Sequence, residues 1–271
     1  MKSFNEFNFN GLRALVRVDF NVPLDENYNI TDDTRMRAAV ATIHKILNDG
    51  GSVVLMSHLG RPKDGPTEKY SLKHIVGHLS QLLNGPKVLF ADDCIGQSAL
   101  EMSSNLKAGE VLLLENLRFY KEEEKGDVDF AEQLSKHGDF WVNDAFGTAH
   151  RAHASTTIVS QFFDKNHKSF GYLMEAEVVN GNKLINNPTP PVTAIVGGAK
   201  VSDKIKLLEK LIPISDNIII GGGMAYTFVK ALGGNIGKSI CELDYLDLAL
   251  ETLEKAKANN CKFVSNHGVI G

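Results

Sequence analysis

Short apolar runs alternate with helical periodicity along almost the whole chain. Residues 13–19, 52–57, 87–90, 111–114 and 140–142 read as buried strands. Between them, Met36, Val40, Ile43 and Leu47 line one helical face after the cap-like Asp33, and Leu72, Ile75, Leu79 and Leu82 do the same after Ser71. Strands alternating with amphipathic helices predict right-handed βαβ units and a parallel sheet covered on both faces. A helical stretch over 172–185 is followed by Asn186-Asn187-Pro188-Thr189-Pro190-Pro191, a Pro-rich break that reads as a linker. The pattern then restarts, with strands at 192–196 and 217–220 and helices at 202–211, 225–232 and 245–258. The predicted fold class is α/β, with two parallel-sheet domains joined by a helix. The expected boundaries are 1–170 for the first domain, 171–190 for the helix and linker, and 191–271 for the second domain. The run Lys121-Glu122-Glu123-Glu124-Lys125 reads as a solvated turn.

Length agrees with that division, because 271 residues at roughly 150 per domain make about two domains. Net charge changes the picture more. A formal charge of -4 argues against nucleic acid as a partner, so any anion site must be a local cluster of positive side chains. Cys94, Cys241 and Cys261 are scattered and form no C-x-x-C pair, which suggests neither a disulfide framework nor a zinc site. The first residues, Met1-Lys2-Ser3-Phe4-Asn5-Glu6, lack the apolar stretch of a secretory signal, and no run approaches the ~20 apolar residues of a membrane span. The expected location is the cytoplasm, with no membrane partner.

In parallel sheets, ligands bind beyond the carboxyl ends of the strands, so the residues after each strand matter most. The first strand leads to Asp19 and Asn21, the second to His58, Leu59, Gly60 and Arg61, the fourth to Arg118 and the fifth to His150 and Arg151; Arg35 enters just after Asp32-Asp33. Arginine's planar fork suits carboxylate and phosphate, and several arginines on one rim repel one another unless a multivalent anion bridges them. Asp19 and Asn21 could fix a hydroxyl or orient an arginine. A metal reading of His58, His150 and His153 lacks a third ligand at any recognised spacing, so His150 and His153 are expected to pack or orient, and no metal is assigned to protein side chains.

The second half ends its strands in glycines: Gly197-Gly198-Ala199-Lys200, with Lys204 a helical turn later, and Gly221-Gly222-Gly223. Each cluster is expected to open a helix directly, where free N–H groups favour phosphate; the alternative is that the glycines only permit a tight turn. Neither cluster matches G-x-G-x-x-G, and the tract from Gly233 to Ser239 misses the P-loop spacing because Leu232 stands where its first glycine belongs. Two anion-binding rims on two domains suggest phosphoryl transfer between two anionic ligands, in a site that closes to exclude water.

The segments RVDFNVPL, SHLGRP, ENLRF, NDAFGTAHRAHAS, GGAKVSDK and GGGMAYTF, in this order, closely resemble the phosphoglycerate kinase family. The resemblance implies two Rossmann-like, hinge-bending domains, a typically monomeric state and reversible transfer between 1,3-bisphosphoglycerate/ADP and 3-phosphoglycerate/ATP in glycolysis, with magnesium. Carried over, Asp19, Asn21, Arg35, His58, Leu59, Gly60, Arg61, Arg118 and Arg151 are similar to the family's phosphoglycerate site. Gly197, Gly198, Ala199, Lys200, Lys204, Gly221, Gly222 and Gly223 are similar to part of its nucleotide site. Arg35 and Lys200, with magnesium, are then expected to stabilise the transferring group. The family's later glycine-rich segment with the magnesium aspartate is absent here, and the stretch from Phe263 to Gly271 departs from its pattern. The second domain is therefore expected to be incomplete, with an exposed apolar edge. A non-catalytic phosphoglycerate-binding module is the alternative expectation.

Overall fold

The computed structural model describes residues 2–63, 65–265 and 268–269. Its chain forms two compact units, Met1–Val178 and Val179–Gly271. The division falls inside a helix, α6, introduced below.

The first unit runs β1 (Arg13–Arg17), α1 (Thr34–Asn48), β2 (Ser52–Met56), α2 (Val76–Leu83), β3 (Val88–Phe90), α3 (Gln97–Ser104), β4 (Val111–Leu113), α4 (Lys121–Lys125), α5 (Val128–Ser135), β5 (Phe140–Asn143), β6 (Lys168–Phe170) and the start of α6 (Tyr172–Asn186). Its six strands lie in the order β3-β4-β2-β1-β5-β6, all parallel, so every strand ends on one rim. The apolar runs are explained by two cores, one on each face. Ala14, Val16, Val53, Leu55, Val111 and Leu113 meet Met36, Ile43 and Ile46 of α1 and Leu79 of α2. The alternate residues Leu15, Val54, Met56 and Leu112 meet Ala99 of α3 and Phe130 and Leu134 of α5. Burying each such large side chain contributes about 1.5–3 kcal/mol, and the period-two alternation fixes the register. β6, which the periodicity did not predict, is three residues long and extends the sheet beside β5.

Local chemistry departs from expectation at the helix starts. Asp33 occupies the N-cap position of α1 but makes no side-chain cap bond; its carboxylate accepts from Arg37 Nε at 2.7 Å and pairs with His78 Nε2 at 2.8 Å. The backbone N–H of Thr34 is taken by Asp32 instead. Residues 121–125 are also not a solvated turn. They form α4, in which Glu123 is only 1% exposed.

The second unit contains the rest of α6, then β7 (Thr193–Gly197), α7 (Ile205–Leu211), β8 (Asn217–Gly221), α8 (Met224–Ala231), α9 (Leu246–Ala258), β9 (Lys262–Ser265) and β10 (Gly268–Val269). Residues between α6 and β7 are irregular, as the prolines predict. The sheet order is β10-β9-β8-β7, with β7, β8 and β9 parallel and β10 antiparallel to β9. One face carries a core: Val196, Ile218, Ile220 and Phe263 against Leu208, Met224, Phe228 and Leu253. On the other face Ile195 aligns with Ile219 and Val264, and Ile195, on edge strand β7, is 77% exposed. Among the described residues, Ile195 is the one large apolar side chain exposed on that edge strand. The tail from Phe263 is a strand as far as Ser265, and the departures at 266–267 and 270–271 lie outside the described residues.

Candidate anion-binding site

Because β1, β2, β4 and β5 are parallel, the loops after them meet on one rim of the first unit. After β1, Asp19 Oδ2 accepts from Arg35 Nη1 of α1 at 2.7 Å, so Asp19 orients an arginine. Gly147, in the loop after β5, lies so near that a Cβ there would sit 2.8 Å from Asp19 Oδ2. After β2, the N–H of Gly60 donates to Asn21 Oδ1 at 2.8 Å, and the carbonyl of Gly60 accepts from Arg118 Nη1 at 2.7 Å. Arg118 also lies 3.4 Å from Glu124 of α4, and Arg151 Nε donates to His150 Nε2 at 3.2 Å. His153 is buried, with Nδ1 at 3.9 Å from Glu123.

The electrostatics record how closely the positive groups crowd. Burial pushes the Arg118 guanidinium below its ordinary pKa, Glu124 opposes this, and Arg151 and Arg61 push it further down. His58 is 4% exposed, and burial, with Arg17, Arg118, Arg35 and His153 around it, lowers its pKa to about 2. The imidazole is therefore neutral at physiological pH. It adds a hydrogen-bonding group, not a charge, to a rim whose arginines supply the positive potential. The structure thus brings together Asp19, Asn21, Arg35, His58, Leu59, Gly60, Arg61, Arg118 and Arg151. A cavity of about 580 Å³ in the same unit, lined by Phe7, Trp141, Phe170 and Met174, includes none of them.

Sequence reasoning missed the residues beneath the rim. Asn116 is fully buried and uses its whole amide: Oδ1 accepts from Leu59 N (3.2 Å) and Arg118 N (3.0 Å), while Nδ2 donates to Leu59 O (2.7 Å) and Tyr70 O (2.9 Å). It ties the His58–Gly60 loop to the Arg118 loop. Arg17, in the middle of the sheet, is 1% exposed and reaches His58, and Ser155 and Glu123 lie behind it. One signal was readable: an arginine inside an apolar strand must find partners, because ionised groups are almost never buried alone.

Gly60 itself is required. Its φ is +62°, and a Cβ would lie 2.3 Å from Cε1 of Tyr70. Gly60→Ala should lower stability by about 2 kcal/mol, through left-handed strain and displacement of Tyr70. A thermal melt of the variant beside the parent checks this, and equal midpoints would contradict it.

The second unit brings its two glycine clusters together. Gly197 pairs with Gly221 across β7 and β8, and Met224 N donates to Gly198 O at 2.9 Å. Gly222 has φ +71°, and a Cβ there would be 2.7 Å from Gly198 O. Close approach accounts for Gly222 and for Gly223, where a Cβ would lie 2.9 Å from Ala199 O, whereas a Cβ at Gly197, Gly198 or Gly221 would meet nothing nearer than 3.5 Å. The Gly221–Gly223 cluster leads straight into α8, but the Gly197–Lys200 cluster does not open α7 directly. A turn over 201–204 intervenes and α7 starts at Ile205, because Ser202 is drawn to Glu242, donating through N (3.1 Å) and Oγ (2.6 Å). Lys200 and Lys204 are therefore not one helical turn apart on α7. Lys204 is its N-cap residue, with its stem over Gly198, and Lys200 is exposed beside Ala199 and near Glu242. Among the described residues, no group of three or more His, Cys, Asp or Glu side chains could hold a metal ion, and no helix is long and apolar enough to cross a membrane.

A family model described as phosphoglycerate kinase matches residues 4–270. The phosphoglycerate kinase of Porphyromonas gingivalis is 52% identical over 277 residues, covering 94% of this chain and 66% of the relative. That of Borrelia hermsii is 52% identical over 264 residues, covering 97% of this chain and 66% of the relative. Among solved structures, the phosphoglycerate kinase of Coxiella burnetii gives a TM-score of 0.83 at 37% identity, over 97% of this chain and 65% of that one. The enzyme from Pyrococcus horikoshii OT3 gives 0.80 at 31% identity, over 97% and 67%. This chain spans 66% of the length of each of these two curated relatives.

Proposed function

The chain belongs to the phosphoglycerate kinase family, and on that premise we propose that its first unit binds 3-phosphoglycerate or 1,3-bisphosphoglycerate and that its second unit binds ATP or ADP, for reversible phosphoryl transfer in glycolysis. The observation that carries the reading is the rim, where Arg35 of α1 and Arg118 flank a neutral His58, and Arg61 and Arg151 crowd Arg118 in the loops beyond the parallel strands. A ligand with both phosphate and carboxylate satisfies such a set, because each anionic end can take a planar arginine fork while Asp19 and Asn21 hold the loops that present them. Residues 1–170 are proposed as the phosphoglycerate domain and 191–271 as part of the nucleotide domain, with Gly197, Gly198, Ala199, Lys200, Lys204, Gly221, Gly222 and Gly223 facing the phosphates. Backbone N–H groups ahead of α8 suit that role.

Transfer would run in line between the two ligands without an enzyme nucleophile, so the protein's work is positioning and stabilising charge, assigned to Arg35 and Lys200. Domain closure, a monomeric state and a cytoplasmic location belong to the same proposal. The described residues offer no carboxylate set for a protein-held ion. Magnesium, which family members use with the nucleotide, would be held by the nucleotide's own phosphates and would offset part of their negative charge.

Calorimetric titration of the chain with 3-phosphoglycerate, beside a coupled assay with ATP, tests the reading. Binding should be seen, and Arg35→Ala should weaken it about tenfold or more, the value of one hydrogen bond to a charged group. No heat from millimolar 3-phosphoglycerate would overturn the assignment of the rim. Binding without turnover would confine the reading to the substrate half.

A further inference from the structure

Behind the rim lies a buried chain of polar groups whose direction is fixed by what each can donate. Arg17 has only N–H donors. Its Nε donates to Ser155 Oγ at 2.8 Å, one terminal nitrogen donates to the carbonyl of Val18, and Nη2 is 3.3 Å from Nδ1 of His58. The Ser155 hydroxyl receives from Arg17, so its single proton points the other way, to Glu123 Oε1 at 2.6 Å; the backbone N–H of Ser155 donates to Glu123 Oε2 at 3.0 Å. All three residues are essentially sealed from solvent, with relative exposures of 1% for Arg17, 0% for Ser155 and 1% for Glu123.

We propose that Glu123, Ser155 and Arg17 form a positioning chain that holds His58 as its Nε2–H tautomer, so that the ring offers one fixed, neutral N–H donor to the anion site. Because a guanidinium cannot accept, Nδ1 must carry the lone pair, and the proton belongs on Nε2. Among the described residues Nε2 has no hydrogen-bond partner, and it is not one of the buried polar atoms left unsatisfied. It is the nitrogen free to meet a ligand. Without the chain the preference reverses. The next acceptor near Nδ1 is Asp19 Oδ1 at 3.9 Å, which would draw a proton onto Nδ1 and turn Nε2 into a second lone pair facing an anion. The other charged or titratable groups around the ring are Arg118, Arg35 and His153, contributed by the β4 loop, α1 and the β5 loop. Burial and those positive neighbours disfavour the imidazolium, so the tautomer is the remaining variable, and Glu123 sets it through two intermediaries. Glu123 also supplies the negative charge that makes a buried arginine tolerable. These are positioning residues, since none is placed against the ligand.

The bearing on ligand binding rests on the phosphoglycerate reading of the rim, whereas the tautomer itself does not. Long-range ¹H–¹⁵N spectra of the whole ¹⁵N-labelled chain, with the His58 signals assigned from His58→Gln, report which ring nitrogen carries the proton without any ligand. The parent should show protonated Nε2 and bare Nδ1. Ser155→Ala and Glu123→Gln, each with the remaining signals dispersed as in the parent, should move population toward Nδ1–H. Calorimetry should show Ser155→Ala binding 3-phosphoglycerate about tenfold more weakly. A parent ring protonated on Nδ1, or a Ser155→Ala ring identical to the parent's, overturns the proposal. If the parent does not bind 3-phosphoglycerate, the functional reading fails alone and the spectra still decide the positioning chain.

Discussion

Asn116→Ala should destabilise the first unit by about 4 kcal/mol or more, a large share of the stability of a domain this size. The side chain is fully buried and serves four backbone groups: Leu59 N–H, Arg118 N–H, Leu59 C=O and Tyr70 C=O. Truncation orphans all of them where water cannot easily enter, and each stranded group costs about 1–3 kcal/mol. Asn116→Asp is expected to do no better despite its matching shape, because it replaces two donors by an oxygen facing two carbonyls. The rim should suffer as well, since one amide holds both the His58–Gly60 loop and the Arg118 loop. Urea denaturation read beside 3-phosphoglycerate calorimetry checks both effects. An Asn116→Ala midpoint within about 1 kcal/mol of the parent would refute the accounting.

The second large effect is a loss of stability on acidification. Burial is the leading cause that takes His58 down to about 2 and His137 to about 4 from an ordinary value of 6.5. Both are neutral in the native state, while in the unfolded chain they take up protons as soon as pH falls below 6.5. The unfolded state then binds more protons, so stability is complete above that pH and is lost as pH falls through the window beneath it. Each group contributes at most about 1.4 kcal/mol per pH unit. Asp144 works in the opposite direction: burial raises its carboxyl pKa, so acidification relieves part of the strain of keeping it ionised. The net expectation is a loss on the order of 3 kcal/mol between pH 6.5 and 4.5. Urea midpoints across that range measure it, and His137→Gln should remove roughly half of the slope. A midpoint unchanged from pH 6.5 to 4.5 would show that these imidazoles are not held neutral.

The architecture was largely legible because buried parallel strands leave continuous apolar runs. The strands at Arg13, Ser52, Val111 and Phe140, and the helical faces of Met36 and Ile43, followed from spacing alone. β6 was not legible, since Lys168, Ser169 and Phe170 have no periodicity and join the sheet only through pairing with β5. Nor was α4: a run of three glutamates between lysines reads as solvent-facing, and only the arrival of Ser155 and Arg17 from distant segments gives Glu123 a reason to be buried. The start of α7 was misplaced for a similar cause, because Glu242, far along the chain, takes the Ser202 groups that were expected to begin the helix.

By itself the sequence determined the doubly covered first sheet, the family, and the positive groups that the rim carries, since each of these is written in local runs of residues. Only the tertiary structure decided what supports them. That His58 is neutral, that Arg17 faces its Nδ1, and that Asn116 joins two loops depend on burial and on partners separated by as many as 138 residues. Burial and long-range hydrogen bonding are properties of the folded neighbourhood. The residues that carry charge to the rim were therefore visible in the sequence, whereas those that aim and restrain that charge were not.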